Sequence, residues 1–79
     1  MFLLLNKIRR KQINIIINKL NACVIEIENI KDLEDESRDN MPENLQNGDA
    51  YYYSDECSDK LVEAIDSIND VISELDTIV

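Results

Sequence analysis

The residues of this sequence that could do chemistry are two cysteines, Cys23 and Cys57, and a large excess of carboxylates. The sequence contains no histidine, which is the commonest general base and metal ligand in proteins. Its serines have no base partner at a recognisable spacing, and a single glycine cannot form a glycine-rich phosphate loop. The composition therefore predicts a protein that is not an enzyme and that binds no cofactor or metal ion.

The carboxylates are distributed unevenly along the chain. Residues 1–31 carry six Lys and Arg against two acids, whereas residues 32–79 carry 15 acids against two Lys and Arg, for a net charge of −9. The acid-rich stretch KDLEDESRDN, residues 31–40, lacks the alternating spacing of a calcium loop, so we interpret it as a solvated helix end. The basic stretch NKIRRKQ, residues 6–12, could contact phosphates, but the acidic total favours partners other than nucleic acid.

Two stripes of apolar residues, with steps of three and four, predict two long amphipathic helices. The first helix is predicted from about residue 4 to 37 and the second from about residue 49 to 78, each with apolar residues at the a, d and e positions of a heptad repeat. The first stripe contains Ile13, Ile16, Ile17, Leu20, Cys23, Val24, Ile27 and Ile30. The second contains Cys57, Leu61, Ala64, Ile65, Ile68, Val71, Ile72, Leu75 and Ile78. An alternative start of the second helix at Ser54 or Ser58 would leave the tyrosines in a loop.

The stretch NMPENLQNGD, residues 40–49, contains the only proline and the only glycine and predicts the connection between the helices. Pro42 cannot continue a helix from upstream but suits the first turn of a new one. Asp49 is predicted to be the N-cap of the second helix, and Met41 and Leu45 are expected to cover the end of the hairpin. The predicted connection residues are Asn40, Met41, Pro42, Glu43, Asn44, Leu45, Gln46, Gly48 and Asp49.

These elements predict an all-α fold, one domain over residues 1–79 that forms an antiparallel two-helix hairpin with a loop at about 38–48. The basic start of the first helix would then lie beside the acidic end of the second. This pairing would set orientation more than stability, because exposed ion pairs contribute only about 0–1 kcal/mol. Two helices bury little apolar surface, so we expect two hairpins to form a homodimer with a four-helix bundle.

The two cysteines are expected to pack as small apolar side chains in these stripes. If residues whose numbers sum to about 87 face each other, Cys23 lies opposite Ala64 and Cys57 lies opposite Ile30, about two helical turns apart. That separation is too large for an intrachain disulfide. Free thiols are typical of a reducing cytoplasm, which is the location that we predict.

The run YYYSDE, residues 51–56, is the candidate partner-binding segment. Three successive helical residues span about 300° of the helix surface, so the three tyrosines cannot all face the core. Exposed tyrosines are enriched in protein interfaces, although these could instead pack around the end of the hairpin. The predicted partner-binding residues are Tyr51, Tyr52, Tyr53, Asp55, Glu56 and Asp59.

The order of RRKQI near the start, an amphipathic helix, the central NMPENLQ and a second acidic helix resembles a group of short uncharacterised proteins from low-GC Gram-positive bacteria and their phages. The resemblance covers most of the chain, and its specific motif is residues 40–46. It implies a helical hairpin and a mobile-element setting, and it implies no particular activity. The high content of Ile and Asn is compatible with the same source.

The sequence therefore predicts a non-enzymatic interaction module that binds a protein partner. A first alternative is a phage- or prophage-encoded inhibitor of a bacterial defence system that acts by steric block or DNA mimicry. A second is a small DNA-contacting protein that uses Arg9, Arg10 and Lys11. No membrane association is expected, because no apolar run approaches the roughly 20 residues of a transmembrane helix.

Overall fold

Two long antiparallel helices joined by a short connection form the structure, a computed structural model that describes residues 6–79. Helix α1 runs over Lys7–Asp39 and helix α2 over Asp49–Asp76, with a 3-10 helix at Glu43–Leu45 between them and no strand in the described range. The molecule measures 64 × 16 × 10 Å. The predicted all-α hairpin is therefore confirmed, while the predicted helix start at residue 4 lies outside the described residues.

The first residues of α1 are held by a side-chain cap. Asn6 has an extended backbone, and its Oδ1 accepts a hydrogen bond from the Arg9 backbone N–H at 2.9 Å, which satisfies one of the free amides of the first turn. At the other end α1 continues two residues beyond the predicted end at residue 37. The backbone N–H of Asn40 still bonds to the Glu36 carbonyl at 3.0 Å, and Pro42 follows where a helix could not continue.

The connection forms a 3-10 turn over Glu43–Leu45, and Pro42 is the residue that precedes it and not its first residue as predicted. Met41 is half-buried, but Leu45 is 52% exposed, so the prediction that both residues cover the end of the hairpin is wrong for Leu45. The reason is that the 3-10 turn directs Leu45 outwards, while the half-buried Gln46 folds back and its Nε2 donates to the Met41 carbonyl at 3.2 Å. Backbone hydrogen bonds across the turn, such as Leu45 N–H to the Pro42 carbonyl at 2.8 Å, make the connection ordered.

The start of α2 differs from the prediction in its cap. Gly48 is the N-cap residue and Asp49 is the first helical residue, where its carboxylate lies next to the positive end of the helix dipole. Gly48 has φ −86°, an ordinary value, so its position does not depend on the backbone freedom of glycine. Because α2 includes the whole tyrosine run, the alternative start at Ser54 or Ser58 is wrong.

A narrow seam of residues joins the two helices; with Ile17 and Ile65 taken as a positions, the seam residues are at a and d, and the third apolar residue of each heptad is at g and not at the predicted e. Every described residue that is not fully exposed belongs to this seam, except Asp35, Gln46 and Cys57. In the half of the seam distant from the connection, the side chains are aliphatic and their burial holds the helices together. These aliphatic residues are Ile13, Ile17, Leu20, Val24 and Ile27 of α1 and Ile65, Ile68, Ile72 and Leu75 of α2.

The predicted core stripes are wider than the seam that the structure forms. Two helices in contact cover only the a and d positions of each other, so a third apolar residue in each heptad is left outside. In the hairpin all of these third residues lie on the exposed surface. They are Ile16, Cys23 and Ile30 of α1 and Ala64, Val71 and Ile78 of α2.

The pairing of the helices is also shifted from the predicted register. Arg38 hydrogen bonds to Ser54 and Ser58, so that facing residues have numbers that sum to about 92 and not to about 87. Residues 6–12 are consequently all exposed and extend past Leu75, the last seam residue of α2. None of the ion pairs in the described chain joins this basic start to the acidic end of α2, so the predicted pairing of the two clusters is wrong.

None of the helices within the described range combines the length and apolar character required to cross a membrane.

Candidate functional site at the closed end of the hairpin

The half of the seam nearest the connection contains a buried arginine, Arg38, where the other half contains aliphatic residues. Its side chain is 11% exposed and reaches from α1 across to α2. Nη1 donates hydrogen bonds to the hydroxyls of Ser54 at 3.2 Å and of Ser58 at 2.9 Å. Nη2 donates to Oδ1 of Asp35 at 2.7 Å, and the Asp55 carboxylate lies 3.8 Å from the same nitrogen. One guanidinium therefore bonds to both helices.

Carboxylates complete this polar cluster by accepting hydrogen bonds from both serines. The Ser58 hydroxyl donates to Asp35 at 2.7 Å, and the Ser54 hydroxyl donates to Glu34. Lys31 donates to the second oxygen of Asp35 at 2.6 Å. Among the described residues no buried side-chain nitrogen or oxygen is left without a partner. Because each serine hydroxyl is bonded both to Arg38 and to a carboxylate, the cluster fixes the alignment of the helices.

Hydrogen bonds from Lys31, from Ser58 and from Arg38 hold the pKa of Asp35 well below its ordinary value of 3.8. The same contact with Asp35 raises the pKa of Lys31 and the pKa of Arg38 above their ordinary values. All three groups are therefore charged at neutral pH. This charge pattern favours the folded hairpin, in which the carboxylate has three donors.

We predict that Asp35 makes the stability of the hairpin depend on pH in acid. Because the folded pKa is lowered, the stabilisation is fully present above about pH 5 and is lost as the pH falls through 3.8 towards the lower folded pKa. Asp35→Asn should melt several degrees below the wild type at neutral pH, and this gap should narrow as the pH falls below 4. Thermal melts of both proteins across this range test the prediction. A gap that does not change with pH would contradict it.

The three tyrosines at the start of α2 have different surroundings. Tyr51 is half-buried in the seam, with its ring centroid 6.0 Å from Cζ of Arg38 and 5.8 Å from the ring of Tyr52, which is perpendicular to it. Tyr52 is 57% exposed and Tyr53 is 72% exposed. The expectation that at least one or two tyrosines are exposed is confirmed. Tyr51 supports the Arg38 cluster and is not available as a contact surface.

The predicted partner-binding residues divide between two sides of the hairpin. Tyr53 and Glu56 line a shallow pocket of about 410 Å³, together with Cys57, Lys60 and Leu61. A hydrogen-bonding contact with the Cys57 thiol raises the pKa of Tyr53. The remaining predicted residues, Tyr52, Asp55 and Asp59, lie at e and b heptad positions on the opposite side of the seam.

The side that carries Tyr52 forms an acidic face. Between residues 13 and 79 its e and b positions contain eight carboxylates and no lysine or arginine. The g and c positions of the other side contain two lysines and two glutamates over the same range. The acidic face comprises Glu28, Asp32, Asp35, Asp39, Asp55, Asp59, Asp66 and Asp76. Within residues 6–79, no three Cys, Asp or Glu side chains converge as metal ligands do.

The sequence prediction missed the Arg38 cluster, although a signal for it was present. Lys31, Glu34 and Arg38 continue the steps of three and four of the aliphatic stripe, and Ser54 and Ser58 do the same in α2. A search for apolar periodicity does not detect polar residues at seam positions. The prediction that both cysteines pack as small apolar side chains is only partly correct, because Cys57 is half-buried and Cys23 is exposed.

No protein-family model, curated protein or solved structure matches the chain.

Proposed function

We propose that the protein is a non-enzymatic interaction module that binds a protein partner through the closed end of the hairpin, where Tyr52 lies on the acidic face and Tyr53 lies on the other side of the seam. The observation that carries the proposal is a pair of adjacent exposed tyrosines at the closed end, of which Tyr52 lies on a face whose e and b positions contain carboxylates and no lysine or arginine. Tyrosine supplies a large contact area with few rotatable bonds, and it is enriched at binding hot spots. A one-sided negative surface increases the association rate of a positively charged partner.

The rigidity of the closed end supports this proposal. Tyr51 packs against Arg38 in the polar cluster, and Tyr52 contacts the ring of Tyr51 edge to face. The exposed rings are therefore attached to a part of the hairpin in which both helices are bonded together. A surface that is already ordered loses less conformational entropy on binding.

The acidic face also favours a second candidate function, inhibition of a nucleic-acid enzyme by DNA mimicry. The hairpin is a rod 64 Å long and 16 Å wide with negative charge along one side, which resembles the charge distribution of a nucleic-acid backbone. In this candidate the partner is the basic DNA-binding surface of an enzyme. The mobile-element setting implied by the sequence resemblance is compatible with such a role.

We also propose that the protein is a homodimer and that it is located in the cytoplasm, as the sequence predicts. The free thiols of Cys23 and Cys57 support that location, because a reducing compartment keeps exposed thiols free. Self-association would leave the acidic face available to the partner only if the dimer forms through another surface.

We predict that the double substitution Tyr52→Ser and Tyr53→Ser weakens partner binding about tenfold or more without unfolding the hairpin. Both side chains are exposed, so the loss of stability should be small. The measurement is capture of partners from a cell extract on immobilised protein, with far-UV circular dichroism as the folding control. The matched control is Ile8→Ser with Ile15→Ser, which removes two exposed apolar side chains on the outer side of α1. Equal capture by both variants and the wild type would contradict the proposal.

The salt dependence of capture separates the two candidates. A nuclease or other nucleic-acid enzyme that is lost sharply as salt rises would favour DNA mimicry, because contacts to an acidic face are screened. Capture that is insensitive to salt would favour the tyrosine-centred interface. A gel shift of duplex DNA by the purified protein would contradict both candidates and favour a role for the basic residues 6–12.

A further inference from the structure

A strip of exposed apolar residues runs along the side of the hairpin opposite the acidic face. It consists of the apolar residues at g positions of both helices, all of which are exposed except the half-buried Cys57. Ile16 is 47% exposed, Ile30 is 55%, Val71 is 44% and Ile78 is 42%. The strip comprises Ile16, Cys23 and Ile30 of α1 and Cys57, Ala64, Val71 and Ile78 of α2.

The antiparallel pairing of the helices makes this strip continuous. In an antiparallel pair the g positions of both helices lie on the same side of the seam, and the register alternates them along the rod. Ile78 and Ile16 therefore lie near the open end, Cys23 and Ala64 near the middle, and Ile30 and Cys57 near the closed end. The strip is about 30 Å long. Scattered apolar residues on a surface need no explanation, but a continuous strip of this length marks a contact surface.

We propose that a second copy of this chain covers the apolar strip, in a symmetric antiparallel four-helix bundle. The proposal rests on the homodimer of the proposed function and names its interface. The accessible surface of one chain is 6015 Å². A compact monomer of 9.1 kDa exposes about 4,900 Å², so this chain exposes about 1,100 Å² more. A standard interface buries about 800 Å² of each partner, which is less than this excess; the excess belongs to the whole elongated surface, so the charge distribution must show which side is covered.

The distribution of charge shows which side can meet a second copy. Two chains of net charge −9 repel each other, and contact through the acidic face would bring 16 carboxylates together. The positions that border the apolar strip instead carry balanced charge, since Lys19 and Lys60 offset Glu26 and Glu74. The strip is therefore the side on which self-association has the lowest electrostatic cost.

Charge also determines the orientation of the two copies. The exposed basic residues that extend beyond α2 form no ion pair within the described chain, and the closed end of the hairpin is acidic. When the copies run in opposite directions, the basic end of one lies beside the closed end of the other. The basic residues are Lys7, Arg9, Arg10 and Lys11, and the exposed acids at the closed end are Glu36, Asp39, Glu43 and Asp49. Parallel copies would place like charges together at both ends.

The interface is tested by a matched pair of substitutions in α1, Ile30→Lys and Ile25→Lys. Ile30 and Ile25 are 55% and 59% exposed and lie on opposite sides of the hairpin. Because both substitutions replace isoleucine with lysine, the two variants have the same composition and net charge. Ile30→Lys should raise the dimer dissociation constant about a hundredfold or more, because a symmetric dimer buries the new charge twice. Ile25→Lys should change it less than about threefold. The measurement is sedimentation equilibrium, with circular dichroism to confirm that both variants are folded.

The native cysteines test the orientation. Cys23 lies near the middle of the strip, so the two copies of Cys23 should be joined by a short bismaleimide in the Cys57→Ala variant. Cys57 lies near one end, and in antiparallel copies the two Cys57 residues are about 28 Å apart along the axis. The Cys23→Ala variant should therefore give no crosslinked dimer. A crosslink through Cys57 would overturn the antiparallel arrangement.

Several outcomes would overturn the proposal. A mass of 9.1 kDa for the wild type at micromolar and higher concentrations would refute both the homodimer and this interface. A wild-type dimer that Ile30→Lys and Ile25→Lys leave equally intact would refute the interface alone. Neither result depends on capture by Tyr52 and Tyr53, so failure of partner binding is distinguishable from failure of self-association.

Discussion

Replacing Arg38 with alanine is expected to lower the melting temperature by about 10 °C or more. The substitution removes the only cation that bonds both helices in the described seam, and it leaves Ser54 and Ser58 without their shared donor. The Asp35 carboxylate, which is 28% exposed, loses a hydrogen bond of 2.7 Å and an ion pair. Replacing a whole buried charged cluster with apolar residues often changes the folding free energy little. Removing only one of its members is strongly destabilising, because the charges that remain are buried without a partner.

Lys60→Ala is the matched control for this effect. Lys60 also forms an ion pair, with Glu63 at 3.7 Å, but the two side chains are 71% and 67% exposed. An exposed pair contributes little, so its loss should change the melting temperature by only one or two degrees. The variants are compared by thermal denaturation at the same protein concentration, because the melting temperature of a dimer depends on concentration, and sedimentation equilibrium measures the dimer fraction of each variant. Equal shifts for Arg38→Ala and Lys60→Ala would show that the buried cluster does not stabilise the hairpin.

The sequence predicted the hairpin because its two strongest local signals agree. The steps of three and four from Ile13 to Ile27 and from Leu61 to Leu75 permit only long amphipathic helices, and Pro42 lies where a single connection must be. The predicted end of α1 was two residues too early, because backbone hydrogen bonds continue the helix as far as Asn40. Local patterns therefore specified the elements, and the three-dimensional contacts specified where they end.

The alignment of the helices could not be predicted from the apolar pattern. Aliphatic layers such as Val24 and Ile68 resemble their neighbours one heptad away, so burial alone is similar in several registers. Directional bonds from Arg38 to Ser54 and Ser58 distinguish one register from the others. These bonds join residues far apart in the sequence, and only the folded structure brings them together.

The apolar stripes are wider than a two-helix hairpin can bury. They contain three apolar positions per heptad, and two helices cover only two of them. The third position, occupied by Ile16, Cys23 and Ile30 in α1, is exposed in the hairpin. A monomeric structure shows these residues as exposed, and in the proposed dimer the same residues complete the core. The stripe that was too wide for a hairpin has the width expected for a helix in a four-helix bundle.

Replacing Val24 with aspartate is expected to unfold most of the chain. Val24 is 8% exposed and, with Ile17, is one of only two buried apolar side chains among the described residues. An aspartate at this position would place an unpaired carboxylate in the aliphatic half of the seam, which costs about 3–5 kcal/mol. A hairpin with so small a core has little more stability than this. The far-UV circular dichroism signal of helix should therefore fall to a small fraction of its wild-type value.

The neighbouring residue provides the control for this substitution. Ile25→Asp introduces the same carboxylate one residue later in the same helix, where the side chain is 59% exposed. Its carboxylate remains in water, so the free energy of unfolding should change by less than about 0.5 kcal/mol. Helix propensity and net charge are the same in both variants, and only the side of the helix differs. A similar loss of helix in both variants would contradict the prediction that burial in the seam stabilises the folded hairpin.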